Sequence, residues 1–452
     1  MSARLLKTYG ELLRLGAPIL VGQLGMIVVG FADNIMVGRY STDALAAASF
    51  VNNVFNVAQL GCIGFTYGLT PLAGALFGAG ETARTGSLTR LAVKLNAVFS
   101  LCVALAMAVL YLNLERLGQP AHLMPLIKPY YLLVLAGLVP LTIFNVMAQW
   151  SYSINNTSMP MWIILAGNLL NIAGNYALIY GHWGAPELGL TGAGISTLAS
   201  RCFGPAVIFA AFFGLRRYRA YARGFVRPER RPGDMRLLWR TSLPVSLQMT
   251  FETSSFSIAA IMVGWLGHIP LAAYQIFIIV GTLGFCVYYS LGSAIAVKVS
   301  NAAAAPDPQG AMRHYAWAGY HIMLLFMGAA CVTFIFFGRQ LMHAFTDDAA
   351  VLALAGSLIF PLVLYQFGDA TQVTFANALR GTSHVMPMLW IAFVSYIIIG
   401  VPATYMLCFP AGLGTYGVIL SFSVSLFTAG ALFLIFFLRA TRKGVSAPTP
   451  RG

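Results

Sequence analysis

Apolar residues gather along this chain into twelve long blocks, near residues 15–37, 48–72, 91–113, 126–150, 159–180, 190–215, 241–265, 271–297, 315–338, 352–378, 387–409 and 415–438. Each block matches the ~20 residues that a helix needs to cross a hydrocarbon core. Lipid admits only helices and closed barrels, because nothing else satisfies the backbone there. A barrel strand would show ~10 residues of alternating apolar and polar positions. These blocks are longer than that and apolar on both faces. The pattern therefore predicts an all-α integral membrane fold with twelve transmembrane helices. The joining segments are too short for a soluble domain.

Composition removes the other classes. Of 452 residues, 59% are hydrophobic and 9% charged, against ~45–50% and ~25% in ordinary globular proteins. No soluble or disordered chain of this length is so poor in charge. The net charge of +14 is explained by topology. An even number of spans puts both termini on one side, and 22 of the 27 Lys and Arg fall on that side, most densely from Arg216 to Arg240. The other side holds Arg39, Arg116, Lys128 and Arg339, and Arg201 lies inside a span. The positive-inside rule then makes both termini cytoplasmic. Nucleic acid is excluded as a partner, since the arginines sit at membrane edges without a recognisable binding module. The first block is too long for a secretory signal and lacks a small-residue cleavage site. All six cysteines fall in predicted spans, so no disulfide framework is implied.

The Arg-rich stretch, with Pro228, Pro232 and Gly233, divides the spans six and six. We expect an N-lobe over 1–215 (helices 1–6), a basic cytoplasmic linker over 216–236, a C-lobe over 237–440 (helices 7–12) and a cytoplasmic tail over 441–452. The halves match at a fixed displacement of 226. Ile35-Met36-Val37-Gly38 recurs as Ile261-Met262-Val263-Gly264, Leu45-Ala46-Ala47 as Leu271-Ala272-Ala273, and Pro18 as Pro244. At 225, Leu188-Gly189, Gly192 and Ser196 recur as Leu413-Gly414, Gly417 and Ser421. Six helices per repeat is even, so the pseudo-two-fold axis runs along the membrane normal, as in parallel-repeat transporters.

Function is sought where the repeat fails to match. Three acids lie within spans, Asp33, Glu252 and Asp369; at the displacement of 226 the first two face Ala259 and Met26, and with Pro140 set against Pro361, a displacement of 221, Asp369 faces Ala148. A charge at mid-bilayer costs roughly 2.5–3.5 kcal/mol on insertion scales and usually marks an ion pathway. Each acid is expected to hold a proton or a cation such as Na+; a structural pairing with Arg201 or a hydroxyl is the alternative. Asp33, six residues before Arg39, also reads as a boundary residue. Tyr365 precedes Asp369 by four residues and shares its helical face. Asn168, Asn171 and Asn175 form a stripe on span five, which either lines a site or binds helices together. Thr197 is a weaker candidate on span six. Pro18 and Pro244, early in the first span of each half, are candidate hinges or static kinks. No Walker A sequence, HExxH or Cys/His cluster is present, so no catalytic residue, cofactor or ATP-driven step is expected. Energy is expected from a gradient of H+ or Na+.

At these residues the sequence resembles the multidrug and toxic compound extrusion (MATE) family, in its NorM-like bacterial branch. GFADNIMVG around Asp33 is similar to the family's first-helix motif, with Pro18 at its bending proline. Phe251-Glu252 and Tyr365-Gln366-Phe367-Gly368-Asp369 match the branch's acidic pair and tyrosine; NIAGNYALIYG and PELGLTGAGIST match its span-five asparagines and span-six threonine. The resemblance runs from about residue 10 to 440. Where many members read Arg-Val-Gly after span eight, this chain reads Lys298-Val299-Ser300. The resemblance implies two six-helix lobes and alternating-access export of organic cations or drugs in exchange for H+ or Na+. It also implies an inner-membrane location, and the chain is expected to be a monomer. Cation-coupling candidates carried over by match are Asp33, Asn171, Asn175 and Thr197 in the N-lobe, and Glu252, Tyr365 and Asp369 in the C-lobe. A flippase of lipid-linked or polysaccharide substrates, or an intramembrane enzyme, stands as the alternative.

Overall fold

The computed structural model describes residues 3–442, apart from 230, 344, 345 and 347. Arg230, Lys443, Arg451 and most of the expected tail therefore lie outside the described residues. The fold is helical: α1 (Ala3–Tyr40), α2 (Thr42–Thr66), α3 (Leu69–Gly78), α4 (Thr82–Tyr111), α5 (Met124–Ala136), α6 (Leu138–Ser153), α7 (Ser158–Tyr180), α8 (Gly189–Gly214) and α9 (Arg219–Val226). Then come α10 (Asp234–Gly264), α11 (His268–Asn301), α12 (Pro308–His343), α13 (Ala349–Ser357), α14 (Ile359–Gly381), α15 (Met386–Ala392), α16 (Val401–Cys408) and α17 (Gly414–Ala440). A π-helical segment, Phe393–Gly400, joins α15 to α16.

Ten helical stretches are long and apolar enough to cross a membrane, and α13 with α14, bent by 47°, makes an eleventh among the described residues. The expected seventh span forms α10, of 31 residues, but Ser246, Gln248, Thr250, Glu252 and four more hydroxyls from Thr253 to Ser257 keep it out of that group. It is a polar span, twelfth in the set. The second block, expected as one helix, breaks at Tyr67 and Gly68. A Cβ on Gly68 would lie 2.5 Å from the backbone nitrogen of Ser242, so the glycine permits a close crossing.

The helices cluster into two compact units. The first comprises residues 1–20, 70–79 and 243–452. In it α14 packs along α17, α11 and α12. The chain start is tied in by Glu11, which accepts from Lys298 Nζ at 3.0 Å and from the Tyr315 hydroxyl at 3.1 Å. The second comprises residues 21–69 and 80–242. Here the stretch expected as a linker forms α9, packed on α4: a Cβ on Gly224 would meet the Ala83 carbonyl at 1.8 Å, and Ser87 donates to the Gly224 carbonyl at 3.0 Å. Two cations counted toward topology are also buried. Arg84 forms an ion pair with Asp234 at 3.0 Å, and Arg380 lies in the last turn of α14. Both α1 and α10 pass from one unit to the other, between residues 20 and 21 and between 242 and 243, within two residues of Pro18 and Pro244.

The duplication is visible in one local device. Gly189 and Gly414 start α8 and α17 at φ 53° and 54°, conformations that favour glycine. The preceding Leu188 and Leu413 donate backbone N–H groups to the carbonyls of Leu178 and Leu407, at 2.9 and 3.2 Å. On the next turn, a Cβ on Gly192 or Gly417 would lie 2.4 or 2.5 Å from those same carbonyls. Each glycine thus brings its helix against the end of the preceding one.

Candidate functional site

In the first unit, Glu252 stands on α10 because its helix carries the polar run that the others lack. It is half-buried, and its Oε2 accepts from Gln248 Nε2, one turn earlier, at 2.9 Å. From α14 come Tyr365 and Asp369, both buried on one helical face. Asp369 and Glu252 lie within electrostatic reach of each other, and Tyr365 and Tyr396 lie within reach of both. Tyr396 is supplied by the π-helical segment, a local over-winding that often occurs at functional sites. Phe277 of α11 meets the Tyr365 ring edge-on at 5.4 Å. Asp369 Oδ2 is buried without a hydrogen-bond partner among the protein's own groups. The unit thus brings its three expected residues together and adds two more, Gln248 and Tyr396.

In the second unit, the four expected residues form one hydrogen-bonded chain across three helices. Asn175 Nδ2 of α7 donates to Asp33 Oδ1 of α1 and makes a second contact to Asn171 Oδ1 at 3.3 Å. Asn171 Nδ2 donates to Thr197 Oγ1 of α8 at 3.3 Å, and Thr197 donates to the Ala193 carbonyl at 3.0 Å. The spacing of 171 and 175 stacks both amides on one face, which is why a single helix spans from the acid to the hydroxyl. Asn175 Oδ1 is buried and unpartnered. Asn168, third in the stripe, makes no contact with the acid and leaves its Nδ2 unpartnered.

Arg201 falls one turn beyond Thr197 on α8. Its Nη1 donates to the Val134 carbonyl at 3.4 Å, and it acts on Asp33 and Tyr130 electrostatically without a salt bridge. Among the described residues no cation forms a salt bridge with Asp33, Glu252 or Asp369. No group of three or more His, Cys, Asp and Glu side chains gathers there either. A cation at Asp33 would be held by carboxylate, amide and hydroxyl oxygens, donors suited to a hard cation. Sequence reasoning missed Gln248, Tyr396 and Tyr130. Gln248 was within its reach, because it precedes Glu252 by four residues on a helix.

Comparison with known proteins bears on the family and the fold. A family model described as MatE matches residues 18–177 and again 244–406, and the two matches begin at the displacement of 226 found within the sequence. The chain is similar to the probable multidrug resistance protein NorM of Geobacillus kaustophilus, 30% identical with 95% of this chain and 94% of that protein covered. It is likewise similar to the multidrug resistance protein PmpM of Pseudomonas aeruginosa, 33% identical with 88% and 83% covered. In fold it resembles the crystal structure of a MATE transporter from Vibrio cholerae, with a TM-score of 0.86, 17% identity and 97% and 98% of the two chains covered.

Proposed function

The chain belongs to the MatE family, and from that premise we propose that it exports organic cations or drugs in exchange for H+ or Na+ by alternating access. It is a multi-pass membrane protein; we place it in the inner membrane with both termini cytoplasmic, as a monomer whose lobes are joined by the basic segment 216–236. In this reading Glu252, Asp369 and Tyr365 couple the cation in the C-lobe. Asp33, Asn171, Asn175 and Thr197 do so in the N-lobe. Pro18 and Pro244 serve as hinges, a role supported by the unit boundaries beside them.

The observation that carries the reading is the state of the three carboxylates. Each lies in a membrane-length helix with neutral hydrogen-bond partners or none, and among the described residues none is neutralised by a salt bridge. A carboxylate held this way in lipid must exchange a proton or a metal cation to be accommodated. No prosthetic cofactor enters the scheme. The test changes each acid to its amide (Asp33→Asn, Glu252→Gln, Asp369→Asn) in a drug-sensitive host and measures ethidium efflux. Loss of efflux at normal expression is expected, and unchanged efflux in all three variants refutes the coupling role. Efflux from vesicles under an imposed Na+ gradient, then an imposed pH gradient, identifies the ion.

A further inference from the structure

α11 and α14 run side by side in the same direction. Gly281 of α11 faces Tyr365, Gly284 faces Gln366, and Gly292 faces Val373. Tyr288, one turn after Gly284, is level with Asp369 and within its electrostatic reach. Along this seam three side chains are almost wholly buried: Gln366 at 0% exposure, Tyr288 at 1% and Asp369 at 2%. Gln366 Oε1 and Nε2, the Tyr288 hydroxyl and Asp369 Oδ2 all lack a hydrogen-bond partner among the protein's own groups. Buried polar atoms are rarely left so, and four on one seam call for a ligand. The Gln366 amide lies against Gly284, where a Cβ would come 3.1 Å from Oε1 and 3.2 Å from Nε2 and push the amide out of place.

The atoms themselves select the ligand. Gln366 presents a donor and an acceptor, Tyr288 does both, and Asp369 accepts. A bare cation would leave the amide N–H groups unmet, and the carboxylate refuses an anion. Water donates and accepts, and it satisfies all four. Resting on the reading of Asp369 as a coupling carboxylate, we propose that a water-filled chamber lined by Gly284, Gln366 and Tyr288 relays protons to Asp369. Each water takes a proton from its neighbour and passes one on. The last forms the O–H bond on the carboxylate as its own O–H bond breaks. Gln366 lies on the N-terminal side of Asp369 along α14. With cytoplasmic termini that is the extracytoplasmic side, from which an exporter's driving proton arrives.

The test uses the full-length protein in proteoliposomes with an imposed pH gradient. Gln366→Leu is expected to slow ethidium transport about tenfold or more, in the range of a lost proton-transfer group, with an unchanged or raised thermal midpoint. A raised midpoint with an unchanged rate means a dry pocket and overturns the proposal. Gly284→Ala, which narrows the chamber by one methyl group, must also slow transport; an unchanged rate overturns it. Hydroxyl-radical footprinting gives a readout independent of transport. Tyr288 should be labelled well above Tyr274, which is equally buried but donates to the Phe256 carbonyl; equal labelling refutes a bound water cluster. Asp369→Asn separates the two readings. If it retains efflux, the coupling role itself fails. If it loses efflux while Gln366→Leu keeps it, only the chamber is refuted.

Discussion

The ion pair between Arg84 and Asp234 offers a sharp test of how α10, the helix of Glu252, is anchored. The side chains are 4% and 13% exposed and meet at 3.0 Å, with Asp234 in the first turn of α10. Removing one partner of a buried pair costs about 3–5 kcal/mol, because the other charge loses compensation. The two deletions should differ. Asp234→Ala leaves a buried guanidinium and also removes an acid from a helix N-terminus, itself worth about 0.3–1 kcal/mol. Arg84→Met leaves a carboxylate that is nearer water and beside the free N–H groups of that helix start. We expect about 3 kcal/mol for Asp234→Ala and about half that for Arg84→Met, with the double variant Arg84→Met/Asp234→Leu close to the wild type. At about 2–4 °C per kcal/mol for a unit of this size, Asp234→Ala should lower the thermal midpoint in detergent by about 6–12 °C. A loss under about 2 °C, or a double variant as unstable as the worse single one, would refute the reasoning.

Two further outcomes follow. Gly192→Ala and Gly417→Ala should each destabilise by about 1–3 kcal/mol, the usual cost of overpacking, since each Cβ would strike a backbone carbonyl at 2.4 or 2.5 Å; thermal midpoints that fall for one and not for the other would show that the repeats are not equivalent there. Asn175→Leu should reduce efflux more than Thr197→Val, because Asn175 touches Asp33 directly and Thr197 acts through two amides. The reverse order in an ethidium efflux assay would break the chain as drawn.

Much of this architecture was legible because the bilayer imposes a simple code. Length and apolarity gave the spans, and the glycine and proline matches gave the repeat. The breaks were not legible. The turn at Tyr67–Gly68 depends on a close approach to Ser242, far away in sequence, and the π-helical turn before Gly400 has no compositional mark. The acids were found because charge is conspicuous in an apolar run. Their partners Tyr396 and Tyr130 were not, because neutral polar residues are scattered through every helix and only packing distinguishes those that matter. The basic tally was incomplete in meaning, since Arg84 and Arg380 are buried residues as well as charges.

The division of the chain between its units bears on how the protein is made. Residues 3–20 and 70–79 emerge early from the ribosome, yet their partners Ser290, Leu291, Lys298, Ser300, His314 and Tyr315 come more than 200 residues later. During synthesis Glu11 waits without the Lys298 and Tyr315 groups that it accepts from in the finished protein. One unit is therefore completed only after the chain is almost finished, and the amino terminus acts as a clasp that closes last. A truncated first half would hold one nearly complete unit and two stranded pieces of the other, to be rescued by supplying the missing half in trans.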